Sequence, residues 1–294
     1  MAEKRAAFRS RWLPYLLVGP QIFITAVFFL WPAGQAIYQS VRIQDAFGLN
    51  SHFAGLTNFI ALFQSESYLH SFTVSIIYSL LVTSIGIALS MLLAVMANRP
   101  LRGASIYKTF LIWPYAVSPA IAGVLWLFLF NPTVGILGVA LNRIGIHWDY
   151  LLNGNQAILL VTIAAVWNQL SYNFLFFLAG LQSIPNSLIE AAAIDGAGPV
   201  KRFWTIVFPL LSPTTFFLLV INMVFSFFYT FAIIDATTQG GPAQATNILV
   251  YKVYRDGLEG LDIGGSAAQS VVLMTIVILL TMIQFRFVER KVQY

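Results

Sequence analysis

The sequence contains no cysteine and very little charge. The absence of cysteine excludes disulfides and thiolate metal sites within the chain. Charged residues make up 9% of the 294 residues, whereas a soluble globular domain carries about 25%. Hydrophobic residues make up 59%. This composition predicts a chain that places much of its surface in a lipid bilayer.

Long stretches without Asp, Glu, Lys or Arg recur along the chain, and a helix needs about 20 apolar residues to cross a bilayer. Six stretches reach that length: 12–41, 67–98, 109–142, 150–189, 203–234 and 263–285. They are continuously apolar rather than alternating, which favours helices over spanning strands. The first is also longer than a signal-peptide core of about 7 to 15 residues. The sequence therefore predicts an all-α integral membrane protein with six transmembrane helices.

Side chains that carry chemistry are scarce. The three histidines, His52, His70 and His147, fall at or beyond the ends of the predicted spans, and the chain has no HExxH pair. It has no Ser/His/Asp grouping and no paired intramembrane carboxylates, which disfavours a membrane enzyme. It also lacks the G-x-x-x-x-G-K-[ST] loop that binds nucleotide phosphates. We therefore expect no metal, no cofactor and no ATP hydrolysis in this chain.

The basic residues are distributed unevenly between the two sides of the predicted membrane. With a cytoplasmic N-terminus, the inside segments hold twelve Lys and Arg residues and the outside segments hold four. The inside set is Lys4, Arg5, Arg9, Arg11, Arg99, Arg102, Lys108, Lys201, Arg202, Arg286, Arg290 and Lys291. The positive-inside rule then places both termini in the cytoplasm. The same distribution explains the net charge of +5 better than a nucleic-acid site does.

The fourth predicted span contains a cluster of polar side chains within an apolar run. Asn168, Gln169, Tyr172 and Asn173 lie there, and Asn222 lies in the fifth span. An unpaired polar group costs several kcal/mol in hydrocarbon, so most of these side chains should face protein or a water-filled cavity. Hydrogen bonding between helices would also explain each residue singly. The cluster as a whole favours a polar substrate route.

A helix, a turn and a second helix are predicted between the fourth and fifth spans. Ser187 and Glu190 have the spacing of a capping box, and Gly196 suits the left-handed position that ends a helix. Pro199 is suited to begin the next helix, and the fifth span should start near Ser212 because of the neighbouring prolines. Alanines at 191–193 favour helix while adding little bulk, so another surface could approach the backbone closely.

The spacing around this hairpin resembles a known signature. Glu190-Ala191-Ala192, three residues, Gly196, nine residues and Ile206-Val207-Phe208-Pro209 match EAA-x3-G-x9-I-x-L-P. This signature is typical of the permease subunits of ABC importers, with Phe in the usual Leu position. IPNSLIEAAAIDGAG, QGGPAQATNILVYKVYRDG and SAAQSVVLM extend the resemblance to carbohydrate-type importers, and within that family the chain is most similar to glycerol 3-phosphate permeases.

The resemblance implies a heteromeric inner-membrane machine. Its expected partners are a cytoplasmic ATPase dimer, which uses ATP and magnesium, a second permease subunit, an extracytoplasmic substrate-binding protein and membrane lipid. The hairpin residues Glu190, Ala191, Ala192 and Gly196 take the coupling role of the signature, and Asp195 is a neighbour of it. The implied substrate is sn-glycerol 3-phosphate, with related phosphodiesters as further substrates.

Other functions stay open at this point. A permease for a neutral sugar or oligosaccharide would share the same signature. An ion-coupled secondary transporter is a different class, but the central membrane stretches carry no ionisable group for proton or sodium coupling. We expect a first part at 1–70, a transmembrane domain at 71–286 that includes the coupling segment 184–209, and a cytoplasmic tail at 287–294.

Overall fold

The computed structural model describes residues 12–45, 50–98 and 103–288. The tail predicted at 287–294 lies outside these residues from 289 onwards, as do the basic residues of the N-terminus and of the turn at 99–102. The chain forms two compact units. Among the described residues, one unit comprises those up to Gln64 together with Asp256–Val272, and the other comprises those from Ser65 to Arg255 and from Leu273 onwards.

Five helices in the described residues are long and apolar enough to cross a membrane. We call them the first, second, fourth, fifth and sixth spans, after the order of the charge-free stretches. Their bounds are Leu13–Ser40, Glu66–Ala97, Gly154–Ser183, Ser212–Tyr229 and Ile263–Arg286. The fifth span begins at the residue predicted for it. The second span begins earlier than its apolar run, at Glu66, whose charge suits the first turn of a helix.

The third charge-free stretch does not form one continuous helix. It forms two helices, Ile106–Ala116 and Pro119–Leu129, which meet at an angle of 110°. Pro114 and Pro119 interrupt the stretch, and Ser118 caps the second helix by accepting a hydrogen bond from the Ile121 amide at 3.4 Å. A charge-free stretch shows that a segment tolerates lipid, but prolines decide where its helix ends. The pair is either a broken span or a re-entrant loop.

Shorter elements connect the spans. Two three-residue strands, Arg42–Gln44 and Ser51–Phe53, pair antiparallel with Ile43 opposite His52. They are a small addition to a membrane protein whose spans are all helical, as predicted. Each of the remaining helices has nine residues or fewer. They are Thr57–Gln64, Ile136–Arg143, Asn186–Ile194, Pro199–Arg202, Phe208–Leu210, Phe231–Thr237 and Leu249–Tyr254, with wider helical turns at Phe203–Val207 and Arg255–Glu259.

The second and fourth spans form the centre of the larger unit. Small residues on the second span, among them Gly86, Ser90 and Ala94, are buried there and allow close approach of the helices. The Ser90 hydroxyl donates a hydrogen bond to the Leu170 carbonyl at 3.2 Å. Fully buried Phe174 and Phe177 complete this core on the fourth span. The packing holds the polar residues of the fourth span in fixed positions.

Candidate functional site

The hairpin between the fourth and fifth spans has the predicted turn. Its first helix, Asn186–Ile194, is followed by Asp195 and then by Gly196, whose φ of +79° is left-handed. The Gly196 amide donates to the Ala193 carbonyl at 3.1 Å, and the Ala197 amide donates to the Ala192 carbonyl at 2.9 Å. This pair of hydrogen bonds is the Schellman arrangement. The predictions of a left-handed Gly196 and of a new helix at Pro199 are confirmed.

The start of the first hairpin helix differs from the prediction. Pro185, not Ser187, is the residue before the helix. Its ring fixes φ, here −60°, and its ψ of 128° is extended rather than helical. Ser187 therefore lies inside the first turn, where it cannot form a capping box with Glu190. The capping-box prediction is wrong because a proline fixes the helix start two residues earlier.

The outer surface of the hairpin is open. Glu190, Ala191, Asp195 and Gly196 are exposed and Ala192 is half-buried. Large apolar side chains accompany them, with exposed fractions of 87% for Ile194, 72% for Val200 and 60% for Trp204. An apolar surface with two carboxylates and little bulk around its alanines is suited to bury area against another protein.

Two of the predicted route residues pair with each other. Asn173 on the fourth span and Asn222 on the fifth exchange amide hydrogen bonds at 3.0 and 2.7 Å. Asn222 also donates to the Leu218 carbonyl at 2.7 Å. Both side chains are fully buried, and a Cβ at Gly86 would lie 3.6 Å from each amide. The pair joins two spans and is closed off within this chain.

Asn168, another predicted route residue, hydrogen-bonds to the backbone at the bend of the third stretch. The Asn168 amide donates to the Val117 carbonyl at 2.9 Å, and the neighbouring Ser171 hydroxyl donates to the Leu111 carbonyl at 2.7 Å. Helix breaks leave carbonyls without helical partners, and in hydrocarbon such groups need another donor. Asn168 and Ser171 supply these donors, so they stabilise the 110° bend.

The remaining two predicted route residues, Tyr172 and Gln169, differ in what they contact. Tyr172 is half-buried and stacks on Tyr115 with ring centres 6.4 Å apart and planes 21° apart. Gln169 is 9% exposed, and its amide has no hydrogen bond to any residue that the structure describes. Tyr115, at 63% exposure, was missed by sequence reasoning. The signal for it is WPYAVSP, which places a phenol between two prolines at the bend.

Titratable side chains do not gather into a metal site in the part of the chain that the structure describes: no three His, Asp or Glu side chains lie close enough together to hold an ion. The geometry therefore presents two features. One is an exposed hairpin suited to protein contact, and the other is a partly accessible tyrosine pair at a helix break.

Comparison with known proteins decides the family. Residues 86–294 match the family described as "Binding-protein-dependent transport system inner membrane component". The chain belongs to this family. The permease is thus a multi-pass inner-membrane protein, and the resemblance drawn from the hairpin signature is confirmed.

Individual relatives match over the whole chain. The permease is 60% identical over 294 residues to the sn-glycerol-3-phosphate transport system permease protein UgpA of Yersinia pestis bv. Antiqua (strain Antiqua), covering 100% of both chains. It is 61% identical over 287 residues to the protein of the same name from Agrobacterium fabrum, covering 98% of both.

Solved structures match the fold. One is a crystal structure of a bacterial ABC transporter involved in the import of the acidic polysaccharide alginate, with a TM-score of 0.78 and 24% identity over 94% of this chain and 96% of that one. Another is a bacterial alginate ABC transporter in complex with an alginate pentasaccharide-bound periplasmic protein, with a TM-score of 0.82 and 22% identity over 96% of each chain. The fold is that of an ABC-importer permease.

Proposed function

We propose that this permease is one of the two membrane subunits of an ATP-driven importer that moves sn-glycerol 3-phosphate across the inner membrane. The observation that carries the proposal is full-length identity of 60% to permeases named for that substrate. Related phosphodiesters are further candidate substrates. The partners we propose are a cytoplasmic ATPase dimer, a second permease and an extracytoplasmic binding protein.

The proposed topology has six spans, counting the bent third pair as one, with both termini and the hairpin in the cytoplasm. The uneven distribution of Lys and Arg supports this orientation. The hairpin would carry the contact with the ATPase through Glu190, Ala191, Ala192, Asp195 and Gly196. Its exposed apolar surface and the Schellman turn, which fixes the angle between its two helices, support that role.

The proposed substrate route passes the fourth span. The spans offer neutral groups where a phosphate passes, so the binding protein would supply most of the selectivity and the route would hold the substrate weakly. Weak binding suits transport, since a tightly held substrate would leave slowly. The stacked pair Tyr115 and Tyr172 is the most accessible polar feature near the route residues, which favours the Asn168–Tyr172 face over the Gln169–Asn173 face.

Reconstitution tests the proposal directly. The permease would be placed in proteoliposomes with the second permease and the ATPase, and the binding protein would be added on one side. We expect ATP-dependent uptake of radiolabelled sn-glycerol 3-phosphate that requires the binding protein. If a neutral disaccharide is taken up instead, the proposed substrate is wrong, but the proposed ATP-driven import still holds. Uptake driven by an ion gradient without ATP would contradict the importer itself.

A further inference from the structure

A cleft lies between the hairpin and the ends of the second and fourth spans. It has a volume of about 270 Å³ and is bounded by the ends of the second and fourth spans and by both hairpin helices. Asn98, Asn186, Ile189, Pro199 and Arg202 are among its lining residues. The cleft is thus lined by two amides and one guanidinium in an otherwise apolar wall.

The guanidinium of Arg202 is under-satisfied in this cleft. Its Nη1 donates to the Ile189 carbonyl at 3.4 Å, which is long for such a bond. Its Nε is buried and has no hydrogen-bond acceptor. No carboxylate among the described residues lies within ion-pair distance of it. A guanidinium presents five N–H donors in a planar fork, and burying these donors without acceptors costs free energy.

We propose that the cleft binds a phosphate-type anion through Arg202. A phosphate group offers several acceptor oxygens, and a guanidinium can bind two of them side by side through its two terminal nitrogens. Arg202 lines the cleft, and the single long bond of Nη1 leaves most N–H donors of its two terminal nitrogens for such a contact. The side-chain amides of Asn98 and Asn186 line the same cleft and supply neutral donors for further oxygens. Water would offer acceptors but would leave the positive charge unbalanced.

Two sources could supply the same chemistry. The cleft adjoins the ends of two membrane spans, so the headgroup of an anionic phospholipid could enter from the bilayer. Free phosphate could enter from the aqueous side. In either case the anion would bridge the second hairpin helix to the end of the second span, and so would stiffen the hairpin. Anion binding in this cleft would be independent of which molecule the permease transports.

The test uses the nucleotide-free complex of both permeases and the ATPase, purified without the binding protein. Inorganic phosphate is titrated by calorimetry at constant ionic strength, first in nanodiscs of phosphatidylcholine and then in nanodiscs containing phosphatidylglycerol. The variants are Arg202→Gln, which removes the charge, and Arg202→Lys, which keeps the charge but removes the fork. Lys201→Gln is the matched control, because it removes the same charge from an exposed neighbour that does not line the cleft.

In phosphatidylcholine we expect a phosphate-binding event that is weakened at least about tenfold by Arg202→Gln, and partly by Arg202→Lys, but is kept by Lys201→Gln. If the source is lipid, phosphatidylglycerol abolishes this event, and native mass spectrometry finds more retained phosphatidylglycerol on the wild type than on Arg202→Gln. Equal phosphate binding and equal lipid retention by wild type and Arg202→Gln would overturn the proposal.

Assembly of the variants is checked by size-exclusion chromatography. If Arg202→Gln does not assemble, phosphate binding and lipid retention are compared between the wild type and Arg202→Lys. Cryo-electron microscopy of the wild-type complex, with phosphate or with phosphatidylglycerol, should then show density bridging Arg202 within the cleft. An empty cleft under both conditions would overturn the proposal.

Discussion

The side-chain amides of Asn173 and Asn222 hydrogen-bond to each other in both directions, at 3.0 and 2.7 Å. The two residues belong to the fourth and fifth spans and are fully buried. Each amide satisfies polar atoms of the other in a fully buried position, so the pair fixes the register of the two helices. The same two residues were predicted to line a substrate route, and in this chain they are enclosed by protein.

The first prediction concerns this amide pair. Asn173→Leu or Asn222→Leu alone leaves one buried amide without its partner, which costs about 1 to 3 kcal/mol. The double variant replaces both amides with apolar groups of similar size and should lose less than the sum of the single variants. Unfolding of the purified permease in mixed micelles would give a coupling of about 0.6 kcal/mol or more, the average for such bonds in membranes.

A control separates this pair from polar residues in general. Gln169→Leu removes a buried amide that has no hydrogen bond in the described structure. It should therefore cost less stability than Asn173→Leu, which lies four residues further along the same helix. Additive single variants with no coupling would mean that the two amides are not paired in the folded permease.

The spans were predictable from the sequence, but the bend was not. The absence of charged residues identifies the stretches that can lie in lipid. Pro213 indicates that the fifth span begins at Ser212. In the third stretch the same reasoning did not reveal the bend, where two prolines five residues apart separate two helices that meet at 110°. Whether such a proline bends a span or ends it depends on donors elsewhere. Here Asn168 supplies one from 51 residues away.

The second prediction concerns the substrate route. Asn168→Leu with Tyr172→Phe, and Gln169→Leu with Asn173→Leu, each replace one polar face of the fourth span. We expect the first pair to slow sn-glycerol 3-phosphate uptake by about tenfold, equal to about 1.4 kcal/mol of barrier. The second pair should mainly lower the amount of folded complex. Uptake is measured in proteoliposomes at matched complex abundance.

The exposed tyrosine gives a sharper version of this test. Tyr115→Phe keeps the ring stacked on Tyr172 but removes its hydroxyl, whereas Tyr115→Leu removes the ring as well. A graded loss of uptake, larger for Leu, would support contact with the passing substrate. Unchanged uptake in both double variants and both Tyr115 variants would mean that the polar residues of the fourth span are structural.

The third prediction concerns the orientation of the hairpin. The chain has no cysteine, so Ala193→Cys introduces a single exposed thiol on the hairpin. An impermeant thiol reagent should miss it in intact cells and label it in inside-out vesicles. Leu152→Cys is the control, because this residue is 83% exposed and precedes the fourth span, which begins at Gly154, at the end opposite the hairpin. It should label in intact cells. Labelling of Ala193→Cys in intact cells would reverse the topology.

The hairpin shows which local signals can be trusted in a single sequence. Gly196 and Pro199 were placed correctly because a left-handed turn and a fixed φ are properties of those residues themselves. Ser187 and Glu190 were assigned wrongly, since a capping box also requires that no stronger signal starts the helix earlier, and Pro185 does so. Arg202 entered only as one of many basic residues, because its cleft is formed by residues up to 107 positions away.

The last prediction concerns the turn of the hairpin. Gly196 has a φ of +79° and open space around the position of a Cβ, so a side chain there is opposed by backbone strain and not by crowding. Gly196→Val places a β-branched residue in a left-handed conformation, which costs about 1 to 2 kcal/mol. The turn should open, and the angle between the hairpin helices should change.

We expect Gly196→Val to insert in the membrane normally but to lose ATPase co-purification or substrate-stimulated ATP hydrolysis. Gly198→Ala is the matched control. It lies two residues away in the same turn and also has open space, but its φ is −66°, which any residue adopts. It should therefore retain both activities. If Gly196→Val behaves like Gly198→Ala in both measurements, the conformation of this turn does not govern coupling, and the role of the hairpin must reside in its side chains alone.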